Sequence, residues 1–276
     1  MIQFPINPVR MVVKEYIGEV MDIFAIIGMF LGVTFILIGQ AMEGGNVGQL
    51  LQITAAFIVL GGTSGAVVLS FPPSVLSDAM MYLKDIIMPP AVDLPALIAE
   101  IGRFATKARK EGIIALEKEA ATASDPLLTL GLEAVADGTD PTLVREILEN
   151  QIEQLEAKVA AAAKVFESFG GYSPTLGIIG AVLGLIQVMQ NLNDPSKLGA
   201  GIAVAFVATI YGLMAANLYM IPFSTRLKYN YAKVFTAKTV ILEGILSIQA
   251  GESPALIERK LQSFILSDGK SAKKEG

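Results

Sequence analysis

The chain has 276 residues, of which 53% are hydrophobic, with a mean hydropathy of +0.57 and a formal net charge of −5. This composition is too apolar for a soluble protein of this length and indicates several membrane-spanning helices. The sequence contains no Cys, no His and no basic block. This composition excludes disulfides, thiol nucleophiles and His-based catalysis, and gives no indication of nucleic-acid binding. We therefore predict neither an enzyme nor a metal or cofactor site.

The first part of the chain predicts two membrane helices. Residues 1–21 carry charges and no cleavable signal pattern, and are predicted to form an N-terminal cytoplasmic extension. Residues 22–71 contain two apolar segments, 22–41 and 49–71, joined by a polar link. Each segment has about the 20 apolar residues that a helix needs to cross a bilayer. They are predicted to be transmembrane helices 1 and 2.

Residues 72–171 form a long polar stretch that is predicted to be a cytoplasmic helical domain. Apolar positions with a period close to 3.6 predict a helix over residues 95–121. Asp140 and Pro141 have the residue types of an N-cap and a first helical position. The helix that they start is predicted to lead to the next membrane helix, with a break only at Gly170-Gly171.

Residues 172–223 predict transmembrane helices 3 and 4. Pro174 is predicted to open the third helix and Pro222 to close the fourth, and both prolines are candidate conformational hinges. Small residues recur at helical spacing on both helices: Gly177, Gly180 and Gly184 on the third, and Ala208, Gly212 and Ala216 on the fourth. Such faces permit close helix packing in lipid. They pack either within one chain or against a membrane helix of another.

The distribution of basic residues predicts the orientation in the membrane. Of the 21 Lys and Arg residues, only Lys197 falls in a short link between predicted membrane helices. The positive-inside rule then places the N-terminus, the domain at 72–171 and the tail at 224–276 in the cytoplasm. The predicted fold class is all-α: an integral membrane protein with four transmembrane helices, a cytoplasmic helical domain between helices 2 and 3, and C-terminal cytoplasmic helices.

No charged residue lies in the interior of any predicted membrane helix. An ion path through a bilayer usually requires an ionisable group, which is retained there despite its cost because it is functional. The chain alone therefore lacks an ion carrier. Either the protein is structural, or a partner supplies the carboxylate.

Three segments resemble a known family. The segments YSPTLGIIGAVLGLI and LGAGIAVAFVATIYGLMAANLYMIP resemble the third and fourth membrane helices of the flagellar stator family MotA/PomA, within the MotA/TolQ/ExbB superfamily. The segment KARKEGIIALE, residues 107–117, resembles the family's rotor-contact motif. The resemblance covers the chain from about residue 21 to about residue 267.

The resemblance implies a motor function. It implies a stator subunit that, with a single-span MotB-like partner carrying an intramembrane Asp, couples proton flow across the inner membrane to torque on the rotor. It implies a ring of this chain, five copies, in contact with membrane lipid, and a rotor protein, FliG, that is contacted by Arg109 and Glu117. The ion path beside the partner's Asp would be lined by Thr209, Ala181 and Tyr211.

The sequence leaves three alternatives open. Sodium-driven members carry Thr at the positions of Ala181 and Ala208, so the resemblance favours protons, with a sodium-driven stator as the alternative. An energiser like ExbB or TolQ is opposed by the large domain before helix 3 and by the KARKEGIIALE motif. A membrane scaffold without ion flux is a third hypothesis. The implied location is the inner membrane, multi-pass, with both termini in the cytoplasm.

Overall fold

The computed structural model describes residues 22–193 and 195–271, and every regular element in these ranges is helical. The elements divide into two compact units. The membrane unit comprises residues 22–89 and Lys158–Tyr229, and the helical unit comprises Pro90–Ala157 and the residues from 230 onward. The predicted extension at residues 1–21 lies outside the described residues.

The membrane unit begins with α1, Ile23–Met42, which Asp22 caps by accepting a hydrogen bond from the Ala25 N–H at 3.1 Å. A 3₁₀ turn at Val47–Leu50 leads into α2, Ile53–Ala56, a π-helical turn at Phe57–Gly61 and α3, Gly62–Ser70. The helix α4, Pro73–Ile87, completes the first part of this unit. α1 contains no buried residue, so its apolar side chains are available to lipid or to other chains.

The helical unit contains α5, Leu94–Glu111, a 3₁₀ turn at Ile113–Ala115, α6, Leu116–Ala120, and α7, Pro126–Ala136. Its last helix, α11, spans Pro254–Ser271. The predicted continuous helix over residues 95–121 is wrong, because Gly112 has a φ of +86° and ends α5 there. Only glycine adopts this conformation readily, so the turn depends on Gly112.

The core of the helical unit consists of Leu, Ile, Val and Phe side chains from α5, α6 and α7, from α11, and from parts of two longer helices, Pro141–Gln190 and Ile221–Gln249. Its fully buried members include Ile101, Phe104, Leu116, Leu128, Leu132, Leu148, Ile241, Ile245, Ile257 and Leu261. Burying each such side chain contributes about 1.5–3 kcal/mol. This core fixes the positions of α5 and α6, which carry the KARKEGIIALE segment.

The helix α8 runs without interruption over Pro141–Gln190, and it begins as predicted, because Asp140 accepts a hydrogen bond from the Thr142 N–H at 2.8 Å. The predicted break at Gly170-Gly171 and the predicted start at Pro174 are wrong. Pro174 lies inside the helix, where its missing N–H leaves the Gly170 carbonyl without its helical donor. A methyl group on Gly170 would lie 2.8 Å from Ile221 Cγ1, so the glycine permits close packing at this point of the helix.

The fourth membrane helix also continues where an end was predicted. It comprises α9, Pro195–Met214, a π-helical turn at Ala215–Met220 and α10, Ile221–Gln249, which follow one another directly. Pro222 therefore does not close the helix. The π-helical turn ends at Met220, two residues before Pro222. Such turns change the hydrogen-bond register of a helix and are frequent at functional sites.

Four helical segments are long and apolar enough to cross a membrane: Ile23–Met42, Val47–Ser70, Pro141–Gln190 and Leu198–Gln249. The prediction of an all-α protein with four membrane helices is confirmed. Large apolar side chains such as Phe24, Phe30 and Ile178 are exposed on these helices, which is expected for surfaces that face lipid.

Candidate functional site

The first candidate site is the charged turn, which we define as residues 107–119 at the end of α5 and in α6. Arg109 and Glu117, the predicted rotor contacts, are both exposed. Neither residue has an ion pair among the described residues. Both side chains are therefore free to meet a partner's charges.

Other charges of the charged turn pair with one another. Lys107 Nζ lies 2.7 Å from Glu119 Oε1, which joins the end of α5 to α6, and 4.0 Å from Glu111 Oε2. The hydrogen bond from Lys107 lowers the pKa of the Glu119 carboxyl, and the same bond raises the pKa of the Lys107 amine. The structure thus divides the motif into internal charges, which hold the turn, and free charges, which include Arg109 and Glu117. The sequence motif alone does not make this division.

The ion pair of Glu119 predicts a pH-dependent contribution to stability. The folded-state pKa of Glu119 is lowered, so its stabilisation is present above the unfolded-state pKa and is lost as the pH falls through the folded value. We expect Glu119→Gln to lower Tm at pH 7 and the difference from the parent chain to shrink on acidification. Thermal unfolding followed by circular dichroism in detergent measures this. Glu117→Gln, which removes no ion pair, is the matched control and should leave Tm at pH 7 unchanged.

The second candidate site lies in the membrane unit, where the small-residue faces of α8 and α9 meet. A methyl group on Gly184 would lie 2.7 Å from the Gly201 carbonyl oxygen and 2.8 Å from the Ala205 nitrogen. A methyl group on Gly212 would lie 2.5 Å from the Ser173 carbonyl oxygen. The two backbones are therefore in direct contact, and these faces pack within one chain. Of the two alternatives drawn from the sequence, close internal packing is correct for these glycines.

The predicted ion-path residues have different surroundings. Thr209 is half-buried and its hydroxyl donates to the Ala205 carbonyl at 3.2 Å, one turn earlier in the same helix. A methyl group on Gly177 would lie 3.3 Å from the Thr209 Cα, which places Thr209 beside the third membrane helix. Ala181 is half-buried one turn further along that helix.

Tyr211 connects two membrane helices. Its hydroxyl donates to the Leu50 carbonyl at 2.6 Å and accepts from the Gln52 N–H at 3.2 Å. The ring packs against the small core formed by Ala55, Val59, Val207 and Ala208. Both functions of the hydroxyl are used, so Tyr211 fixes the start of the second membrane helix. Nothing in the local sequence around Tyr211 indicated this long-range contact.

The two candidate hinge prolines differ in their exposure to the surroundings of the chain. Pro174 is half-buried and its Cα would lie 3.1 Å from a methyl group on Gly212. The neighbouring Ser173 hydroxyl donates to the Phe169 carbonyl at 2.6 Å, within the turn that Pro174 weakens. Pro222 is exposed. Pro174 is thus embedded in the helix contact, whereas Pro222 lies at its outer surface.

Comparison with known proteins identifies the family. The model of the MotA/TolQ/ExbB proton channel family matches residues 119–239. Motility protein A of Helicobacter pylori is 35% identical over 245 residues, which cover 89% of this chain and 95% of the relative. The chain belongs to this family.

Solved structures agree with this family assignment. A structure of C. jejuni MotAB superposes with a TM-score of 0.83 at 33% identity, and covers 88% of this chain and 96% of the matched chain. The flagellar MotAB stator complex from Bacillus subtilis gives a TM-score of 0.80 at 30% identity, with 87% and 95% coverage. The predicted membership and the role of a flagellar stator subunit are confirmed. The chain is a multi-pass membrane protein of a family of channel and stator subunits, not of enzymes.

Proposed function

We propose that the chain, together with a MotB-like single-span partner, converts proton flow across the inner membrane into torque on the flagellar rotor. Two observations support this proposal, one from the membrane unit and one from the charged turn. The apolar parts of the described membrane helices carry no Asp, Glu, Lys or Arg, which supports a partner as the source of the proton carrier. The charged turn presents free Arg109 and Glu117 to a second partner.

We propose FliG as the protein that contacts the charged turn. Arg109 can form a bidentate pair with a carboxylate, and Glu117 can accept from a base on the same surface. Charge pairs of this kind steer association and set the register between two surfaces. In this proposal Thr209 and Ala181 line the path beside the partner's Asp, Tyr211 supports it, and a ring of five copies surrounds the partner. Pro174 and Pro222 are proposed as the points where helices bend during the cycle.

The proposed orientation of the chain in the membrane can be tested by cysteine labelling. Both termini, the domain at 72–171 and the tail at 224–276 are proposed to lie in the cytoplasm. Glu43 and Asn193 are exposed in the links between membrane helices, and Asp137 is exposed in the helical unit. Cysteines at Glu43 and Asn193 should react in intact cells with a thiol reagent that does not cross the membrane, whereas a cysteine at Asp137 should react only after lysis. The opposite labelling pattern would reverse the topology.

The proposed coupling ion is tested by motor speed. Hydroxyl oxygens suit a dehydrated sodium ion, and the positions 181 and 208 carry alanine, which leaves Thr209 as the nearby hydroxyl. We expect motors driven by this chain and its partner, in a strain lacking its own stator, to turn at a speed independent of sodium at constant pH. A protonophore should stop them. Speed that rises with sodium and survives the protonophore would establish the sodium-driven alternative, and normal assembly without any rotation would favour a scaffold.

A further inference from the structure

The charged turn exposes two adjacent isoleucines between its charges. The side chain of Ile113 is 40% exposed and that of Ile114 is 72% exposed. In the described part of the helical unit, the other large apolar side chains that are exposed are Leu143 and Leu256. Exposed apolar side chains inside a polar rim are the usual centre of a protein contact.

The surrounding contacts hold the two isoleucines at the surface. The Gly112 N–H donates to the Ala108 carbonyl at 2.9 Å, and the Ala115 N–H donates to the Gly112 carbonyl at 3.2 Å. Leu116 follows directly and is fully buried, so it occupies the core position on this turn. The ion pair between Lys107 and Glu119 joins the two sides of the turn. Ile113 and Ile114 are therefore presented on an ordered turn, which reduces the entropy lost on binding.

The free charges around the isoleucines indicate the chemistry of the partner. Arg109 and Lys110 precede them, and Glu117 and Lys118 follow, all exposed. None of these four residues has an ion pair in the ranges that the structure covers. Three cations and one anion thus surround an apolar centre on a chain whose net charge is −5. The complementary surface carries several acids, a base and an apolar side chain or pocket between them.

We propose that Ile114, assisted by Ile113, is the apolar anchor of the contact with the rotor protein, and this rests on the proposed function of the charged turn. The occupant is a mixed-charge, predominantly acidic protein surface with an apolar site. Charges in water attract over about 8 Å at physiological salt and are individually weak. A desolvated isoleucine lowers the dissociation rate of the contact, and affinity differences between related complexes lie mostly in that rate.

The anchor is tested with Ile114→Ser in swimming cells that carry a fluorescently tagged stator. We expect the residence time of the stator at the motor to fall by roughly tenfold, the loss that removing one buried isoleucine produces in affinity. Stall torque should fall with it. Ring assembly, measured by native mass spectrometry of the purified complex, should be unchanged because Ile114 is exposed. Ile114→Leu should retain function, and Leu143→Ser is the matched control with no expected effect.

Several results would contradict the proposed role of Ile114. An unchanged residence time, or an equal loss with Leu143→Ser, would show that Ile114 has no special role. Loss of the ring would show that the isoleucines join copies of this chain. A photo-crosslinking amino acid at position 114 gives an independent result: an adduct with the rotor protein supports the anchor, whereas an adduct only with a second copy, or none, contradicts it. If Arg109→Glu also leaves torque normal, the proposed rotor site itself fails.

Discussion

Cells that carry Arg109→Glu are expected to be paralysed although their stators assemble and conduct protons. Arg109 is exposed in the last turn of α5 and has no ion pair in the described chain, so its reversal breaks no internal contact. At the proposed contact it replaces an attraction to a carboxylate by a repulsion, which costs several kcal/mol at an interface. Rotation of tethered cells measures the loss. Proton influx through the overexpressed complex measures conduction.

Lys107→Glu is the matched control for this experiment. The same charge reversal two residues earlier breaks the ion pair with Glu119 and places like charges together. We therefore expect Lys107→Glu to lower the Tm of the protein, whereas Arg109→Glu should not. Partial recovery of rotation by an acid-to-base change in the rotor protein would demonstrate direct pairing. A stator that fails to assemble with Arg109→Glu would instead make the residue structural.

The membrane helices could be predicted from the sequence because length and hydropathy determine them. The predicted segments 22–41 and 49–71 agree closely with the observed Ile23–Met42 and Val47–Ser70. The errors lie at Gly and Pro residues. Gly170, Gly171 and Pro174 each disfavour a helix locally, but α8 is continuous, and Gly170 and Pro174 pack against residues more than thirty positions away. Helix propensities depend only on the local sequence, so they cannot predict such contacts.

The candidate site could be predicted in part. The KARKEGIIALE motif pointed to Arg109 and Glu117, and both are exposed. The separation of free charges from the pair formed by Lys107 and Glu119 could not be predicted, because it depends on how α6 returns beside α5. The exposure of Ile114 could not be predicted for the same reason. By residue type Ile114 and Leu116 suit a core position equally well. After the turn at Gly112, with its φ of +86°, Leu116 is buried and Ile114 is exposed.

The contact between α8 and α9 shows that their glycine faces pack within one chain. From the sequence, these faces could have packed either within the chain or against a helix of another chain. The glycine faces could have been reserved for a partner's helix, but Gly177, Gly180, Gly184, Gly201 and Gly212 face neighbours in the same chain. A partner helix must therefore approach other surfaces of this pair. Thr209 and Ala181, the residues proposed to line the ion path, are half-buried.

Gly184→Ala and Gly212→Ala are expected to destabilise the membrane unit strongly. The new methyl group would lie 2.7 Å from one carbonyl oxygen at position 184 and 2.5 Å from another at position 212, so the two backbones must separate. Overpacking of this kind costs about 1–3 kcal/mol, and here the neighbouring atoms belong to the backbone and cannot rotate away. Thermal unfolding in detergent should show a lower Tm for each variant, and swimming in soft agar should be reduced.

Gly65→Ala is the control for both substitutions. Apart from its chain neighbours and the backbone of its own helix, no atom of the described residues lies within 4 Å of a methyl group at Gly65. Replacing glycine by alanine in a helix gains about 1 kcal/mol from propensity alone. Its Tm should therefore equal or exceed that of the parent chain. Equal stability of Gly184→Ala and Gly65→Ala would mean that α8 and α9 are not in backbone contact. If Gly184→Ala keeps its Tm but abolishes rotation, the result would instead indicate that this glycine face contacts the partner's helix and moves against it.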